Sequence, residues 1–244
     1  MQFRGVLSLA GAIVAAVALV SASGAAPAKN HNGAGIDVSS RAAIVHYLRA
    51  IHVNPTGLVI QRGRRNYAGA RCPGTGWTCT RTTHPVVQVA RAGGKNTFAC
   101  STARCAVVQV AMGPSRANKG TCIRTTGLSQ SCTIVQSGAT ADNMAVVFEN
   151  ARTQSGLTQT ASATASITQT ATGANSNQAC VYQAINIDAS TVALRGTPVN
   201  ASLEAHQSVT VTQDALGGHN WAKQAADSSG NCTGSAITQT QTVT

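Results

Sequence analysis

From Val86 onward, apolar and polar residues alternate in short runs: VVQVARAGGKN, VVQVAMGPSRAN, TIVQSGATADN, LTQTASATASITQTATGAN, VYQAINID, VTVTQDALGGHN and ITQTQTVT. A period of two is the mark of a strand with one buried face, whereas a helix repeats every 3.6 residues. The alternation predicts strands with Val, Ile and Ala on one face and Thr, Gln and Ser on the other. Each run carries a Gln at or near the strand end, followed by a Gly/Asn-rich turn. With Gln61, Gln88, Gln109, Gln136, Gln159, Gln183, Gln213 and Gln239 as register marks, the spacings run from 21 to 30 residues. Such spacings match one coil of a mostly β, β-solenoid-like stack of strand–turn–strand repeats, and they are equally available to hairpins in a β-sandwich. In a stack, like amides lying above one another can each donate to and accept from the next. The resulting ladder fixes register, and Gly permits the tight arc between strands. Leu194–Leu203 breaks the pattern and reads as an insertion.

Ahead of the repeats the period changes. Ser39 or Ser40 can cap a short N-terminal α-helix whose apolar face is Ala43, Ile44, Tyr47, Leu48, Ala50 and Ile51, ending before Asn54-Pro55. His46 and His52 on or beside it read as surface or packing residues. Leu58–Gln61 is a short apolar strand, and RGRRNYAGARCPGTGWTC follows, dense in Arg, aromatics, Gly and Cys. Arg62, Arg64, Arg65 and Arg71 beside Tyr67 and Trp77 are what an oxyanion- or sugar-contacting surface would use, and they form the candidate binding set. The competing reading of this segment is a disulfide-pinned cap on the end of the stack.

Composition changes the picture in three ways. Only eight aromatics stand among 244 residues, so small aliphatic residues in thin layers must close the core. All eight cysteines lie beyond residue 71, and Cys72–Cys79, Cys100–Cys105 and Cys122–Cys132 are expected as local staples with Cys180–Cys232 as a long-range clasp. There is no C-x-x-C pair and no His at finger-like spacing, so neither a metal nor another cofactor is expected. Charge is divided unevenly: fourteen Lys/Arg face one acid from Lys29 to Arg124, within a chain of net charge +11. That asymmetry points to an anionic polymer or surface as partner.

Residues 1–28 have the pattern of a secretory signal, with Arg4, an apolar run over Val6–Val20 and small residues from Ser21. The expected organisation is a signal peptide at 1–28, a disordered linker at 29–37, the helix and basic cap at 38–85 and the β repeat domain at 86–244. No membrane span is expected after signal removal, and the expected location is secreted or at the extracellular surface.

The run Gln61-Arg62-Gly63-Arg64-Arg65-Asn66-Tyr67-Ala68 resembles the Q-x-G-x-x-N-x-A core of the curlin repeat of curli-type bacterial surface fibres. Gln136-Ser137-Gly138 with Asn143-Met144-Ala145 resembles it with an insertion, and Gln213, Gly217, Gly218, Asn220 and Ala222 keep the residue types at altered spacing. NYAG and CPGTGWTC resemble segments of uncharacterised secreted bacterial proteins. The resemblance implies a structural or surface-associated protein able to self-assemble, and Ala236–Thr244, rich in Thr and Gln and free of charge and Pro, reads as a terminal pairing edge. The alternative is an extracellular binding module for an acidic glycan, a cell-wall polyanion or nucleic acid, with specific nucleic-acid recognition disfavoured by the few aromatics. An enzymatic role would have to draw on Asp142, Glu149, Asp188, Glu204, Asp214 and Asp227, which are singly scattered, and no catalytic signature is present. The expectation is therefore a non-enzyme.

Overall fold

The computed structural model describes residues 36–112, 116–127, 129–138, 141–152, 158–171, 176–187, 202–215, 220–223, 226, 229 and 240–243. The expected signal peptide, most of the linker, residues 188–201, Cys232 and Gln239 lie outside them. One helix, α1 (Arg41–Ala50), precedes β1 (Val59–Ala68), β2 (Thr78–Thr80), β3 (Val86–Cys100), β4 (Arg104–Ala111), β5 (Arg116–Arg124) and β6 (Ser129–Gly138). Then come β7 (Ala141–Arg152), β8 (Thr158–Ala171), β9 (Asn177–Ile187), β10 (Ser202–Ala215), β11 (Asn220–Lys223) and β12 (Thr240–Val243). All pairings are parallel, in the order β10-β8-β6-β4-β3-β5-β7-β9-β11. This is the solenoid-like stack.

β3 shows how one coil is made. Its first half, Val86–Ala90, pairs with β4, and its second half, Lys95–Cys100, pairs with β5. The chain turns through Arg91-Ala92-Gly93-Gly94 between them. Gly93 has φ 65°, and a Cβ on Gly94 would stand 2.2 Å from the Arg64 carbonyl oxygen of the coil below, so only glycine lets successive arcs lie this close. Later coils repeat the plan as β4 with β5, β6 with β7, β8 with β9 and β10 with β11. β1 is the basal coil, in register with β3 on both halves.

Register is held by amides. Gln88, Gln109, Gln136, Gln169 and Gln213 each donate Nε2–H to the Oε1 of the Gln one coil nearer the base, at 2.7–2.8 Å. The other Nε2–H crosses the arc to the carbonyl just after the Asn of the same coil, as Gln88 does to Thr97 at 2.9 Å. The Asn residues run the opposite way. Asn66, Asn96, Asn118, Asn143 and Asn177 donate Nδ2–H to the Oδ1 of the next Asn away from the base, at 2.8–2.9 Å. Their second N–H reaches the carbonyl following that coil's Gln, as Asn96 does to Val110 at 3.0 Å. Two ladders of opposite sense thus lock both halves of each coil.

These Gln side chains face inward, sharing the face of Val86, Ile134 and Ile167, which corrects the expectation that they lie outside with Thr and Ser. An amide whose hydrogens are both placed can be buried without the penalty of an unmet polar group. The register marks need correcting too. Gln169, not Gln159, is the fifth rung, and Gln183 belongs to β9 on the Asn half. Gln159 and Gln169 share parity within one alternating run, so alternation alone could not choose between them.

Inside, Val86, Val107, Ile134 and Ile167 form a column of large residues on the Gln half, and the column facing them is small after Phe98. Phe98 is followed by Gly120, where a Cβ would meet the Ile134 side chain at 2.9 Å, and then by Ala145 and Ala179. Cys100–Cys105 and Cys122–Cys132 join the end of one coil to the start of the next. They stack in register, and the next coil puts Val147 and Ala165 in their place.

The helix covers part of the outside. Ser40 Oγ accepts from Ala43 N–H at 3.1 Å, and Ile44 and Leu48 are buried. Val53 N–H to Leu48 O and His52 N–H to Arg49 O close the C-terminus, with His52 at φ 59° in the left-handed position. Helix residues join Ile36 and Val38 in packing on Val87, Val89, Val108, Val110 and Val135 of the Gln half. Ile36, in the stretch expected to be linker, is buried. The strands under the helix therefore read as continuous Val. Beyond it the same outer column changes from Val135 to Thr168 and Thr212.

Candidate functional site

At the base, β2 pairs with the second half of β1 through Asn66–Ala68. Cys72–Cys79 ties this strand to the preceding turn. Gln61, the lowest rung, has no Gln below it, and its Nε2 lies within bonding distance of Thr78 O and Thr80 Oγ1, each at 3.0 Å. The cap thus supplies what a further coil would. Tyr67 and Trp77 are half-buried and pack edge to face at 6.3 Å between ring centres, so each ring spends part of its surface on the cap.

The candidate arginines separate. Arg62 donates through Nη2 to the Val38 carbonyl and holds the segment leading into α1. Arg71 is exposed beside the disulfide loop. Arg64 and Arg65 are exposed at and just past the arc of β1, where stacking sets Arg65 directly against Lys95. The fold does not gather the six expected residues at one point: two line the arcs, one anchors the N-terminal segment, and three belong to the cap.

Two clefts, of about 430 and 470 Å³, flank the cap and share Thr83 and His84. The first is lined by Arg81, Ala99 and Cys100 among others, the second by His52, Asn54, Arg104 and Ser131 among others. No carboxylate is among the lining residues, and no cluster of metal-ligating side chains occurs among the described residues. His52 is in place as the residue that ends α1. His84 has its ring against Gly57, where a Cβ would stand 2.5 Å from the imidazole.

A polar group that the spacing argument did not single out sits inside the opposite end of the coils. Arg124, Glu149 and Gln183 are register neighbours on β5, β7 and β9. Glu149 is 2 % exposed and accepts from Gln183 Nε2 at 2.8 Å. Burial pushes its carboxyl up to about 7, against a smaller lowering by that hydrogen bond. Arg124 Nε, Gln130 Oε1 and Gln183 Oε1 have no hydrogen-bond partner. The signal was available: Glu149 lies six residues after Asn143, hence on the same inward face.

At the other end, β10 is the outermost strand of the Gln half among the described strands. β11 covers only Asn177–Cys180 of β9, and β12 pairs with Ala184–Ile187. On the outer face of this region Phe148 and Tyr182 stack at 4.8 Å, beside Met144, Trp221 and the buried Cys180, which is disulfide-bonded. The cystines accord with an oxidising, extracellular-type environment. No helix among the described residues is long and apolar enough to cross a membrane.

No family model, curated protein or solved structure matches the chain.

Proposed function

We propose that this chain is an exported structural protein, a cystine-stapled β-solenoid displayed outside the cell that self-associates through its β10 end. The observation that carries the reading is the asymmetry of the two ends. The basal rung Gln61 is met by β2, while among the described residues no rung follows Gln213 and β10 pairs with β8 alone. An unpaired edge is a template for another strand. β10 has no Pro and no Lys, and the middle of its outward face, Ser208, Thr210 and Thr212, is small and uncharged between Glu204 at one end and Asp214 at the other. The curlin-like cores fit this role, since their Gln and Asn are the ladder residues. A catalytic role is not part of the reading.

Of the expected pairing edge Ala236–Thr244 only β12 (Thr240–Val243) is described; it pairs with β9 on one side, as β10 does with β8, and the longer β10 is taken as the main contact. Sedimentation velocity of the oxidised protein across a concentration series tests the reading, with electron microscopy of any pellet. Ordered association is expected, and Thr210→Lys with Thr212→Lys should abolish it by placing two exposed charges along the edge. A monomer at every concentration, or association indifferent to the lysines, would defeat it.

A further inference from the structure

We propose that the arc side of the first three coils binds a linear acidic polysaccharide, a polyuronate, laid parallel to the stacking axis. The inference is independent of self-association. Arg64 and Arg91 lie in successive arcs, and Gly93 in the upper arc would place a Cβ 3.7 Å from the Arg64 Nη2. Immediately past the arcs, Arg65 of β1 pairs in register with Lys95 of β3, and Lys119 of β5 stands one strand further, two positions along. All five side chains are exposed.

Two features mark this stripe as a contact surface. Like charges on directly neighbouring strands repel, yet Arg65 and Lys95 are held side by side. The nearest acid in their register column is Asp142, two strands beyond Lys95, and its carboxylate is engaged with the Ser176 N–H and hydroxyl. The repulsion is relieved if an external anion lies over the stripe.

The geometry selects the partner. Cations stacked coil upon coil follow the strand spacing, about 4.8 Å, and form a narrow line. A polyuronate presents one carboxylate per sugar ring along a single thread, together with hydroxyls that Thr97, between Tyr67 and Lys119 in register, can meet. A nucleic-acid duplex carries one charge per about 1.7 Å of axis and needs a broader basic footprint. A single strand needs aromatic platforms, and Tyr67 is committed to Trp77.

The test is fluorescence anisotropy with labelled polygalacturonate and, separately, a DNA duplex of matched charge, each titrated with the oxidised protein over a salt series. Polygalacturonate should bind more tightly than DNA, with affinity falling as salt rises. Reversal of Arg65, Lys95 and Lys119 to Glu should weaken binding by about tenfold or more, while reversal of Arg49, Arg81 and Arg104, equal in charge but away from the arcs, should change it by about twofold or less. Replacement of the three stripe residues by Gln guards against misfolding of the Glu variant and should still weaken binding severalfold. Absent binding, equal sensitivity to both triple reversals, or DNA bound as tightly as polygalacturonate would overturn the proposal.

Discussion

The two ends of the stack use one ladder in different surroundings. Around β3, β4 and β6 the coils are covered outside by α1 and stapled by cystines, and the basal coil β1 beneath them is met by the β2 cap. Toward β10 the outer column becomes Thr, and that strand has no neighbour beyond it among the described residues. The inward rungs do not change, because Gln136 and Gln213 make the same bonds to the coil beneath. The comparison teaches that the amides set register throughout, while the coverings decide which coils can stand alone.

The largest effect should come from a rung in mid-stack. Gln136→Leu leaves Gln109 Oε1 without its donor and removes the bonds to Asn118 O and Met144 O in a fully buried layer. It should cost about 3–5 kcal/mol in denaturant unfolding. Gln213→Leu should cost about 1 kcal/mol or less; equal costs would erase the distinction between the ends.

Next is Glu149. Its folded value of about 7 lies above the ordinary 4.5 of a glutamate, so the neutral carboxyl is the form the interior favours. Its contribution is fully present below about pH 4.5 and is lost as pH rises through 7, a difference of up to about 3 kcal/mol. Glu149→Gln supplies a neutral side chain at all pH and should remove that dependence. Urea melts of both proteins between pH 4 and 9 should therefore diverge only toward the alkaline side.

The outer column offers a smaller test. Val108→Thr, in the same column as Thr212, puts a hydroxyl under the helix-covered face and should cost about 1–2 kcal/mol. Thr212→Val, on the uncovered face, should move the thermal midpoint little, within about 0.5 kcal/mol. The smallest effect is at the helix end: His52→Gly relieves a left-handed residue and should raise stability by about 0.5–1 kcal/mol, net of the freedom glycine gains when unfolded.

Much of this was legible in the chain because its rules are local. Alternation named the strands, Ser39-Ser40 placed the helix start to within one residue, and close pairs of cysteines named three staples. The inward direction of Gln was not legible, since polarity assigns an amide to water unless its partners in the next coil are known. Nor was Gln169 distinguishable from Gln159, as parity cannot count turns. The arginines looked like one cluster because they are adjacent in sequence, but a stack disperses neighbours and gathers residues one coil apart. Lys95 and Lys119 therefore joined Arg65 only once register was fixed.

The account turns on a base met by β2 and a β10 strand proposed as the self-association edge, and native-state hydrogen exchange read by mass spectrometry on peptides of β4, β6 and β10 tests it most directly. In dilute protein, β4 and β6 amides should exchange far more slowly than those of β10, and β10 should gain protection as concentration rises. Protection of β10 equal to that of β4 in dilute protein, unchanged on concentration, would contradict it.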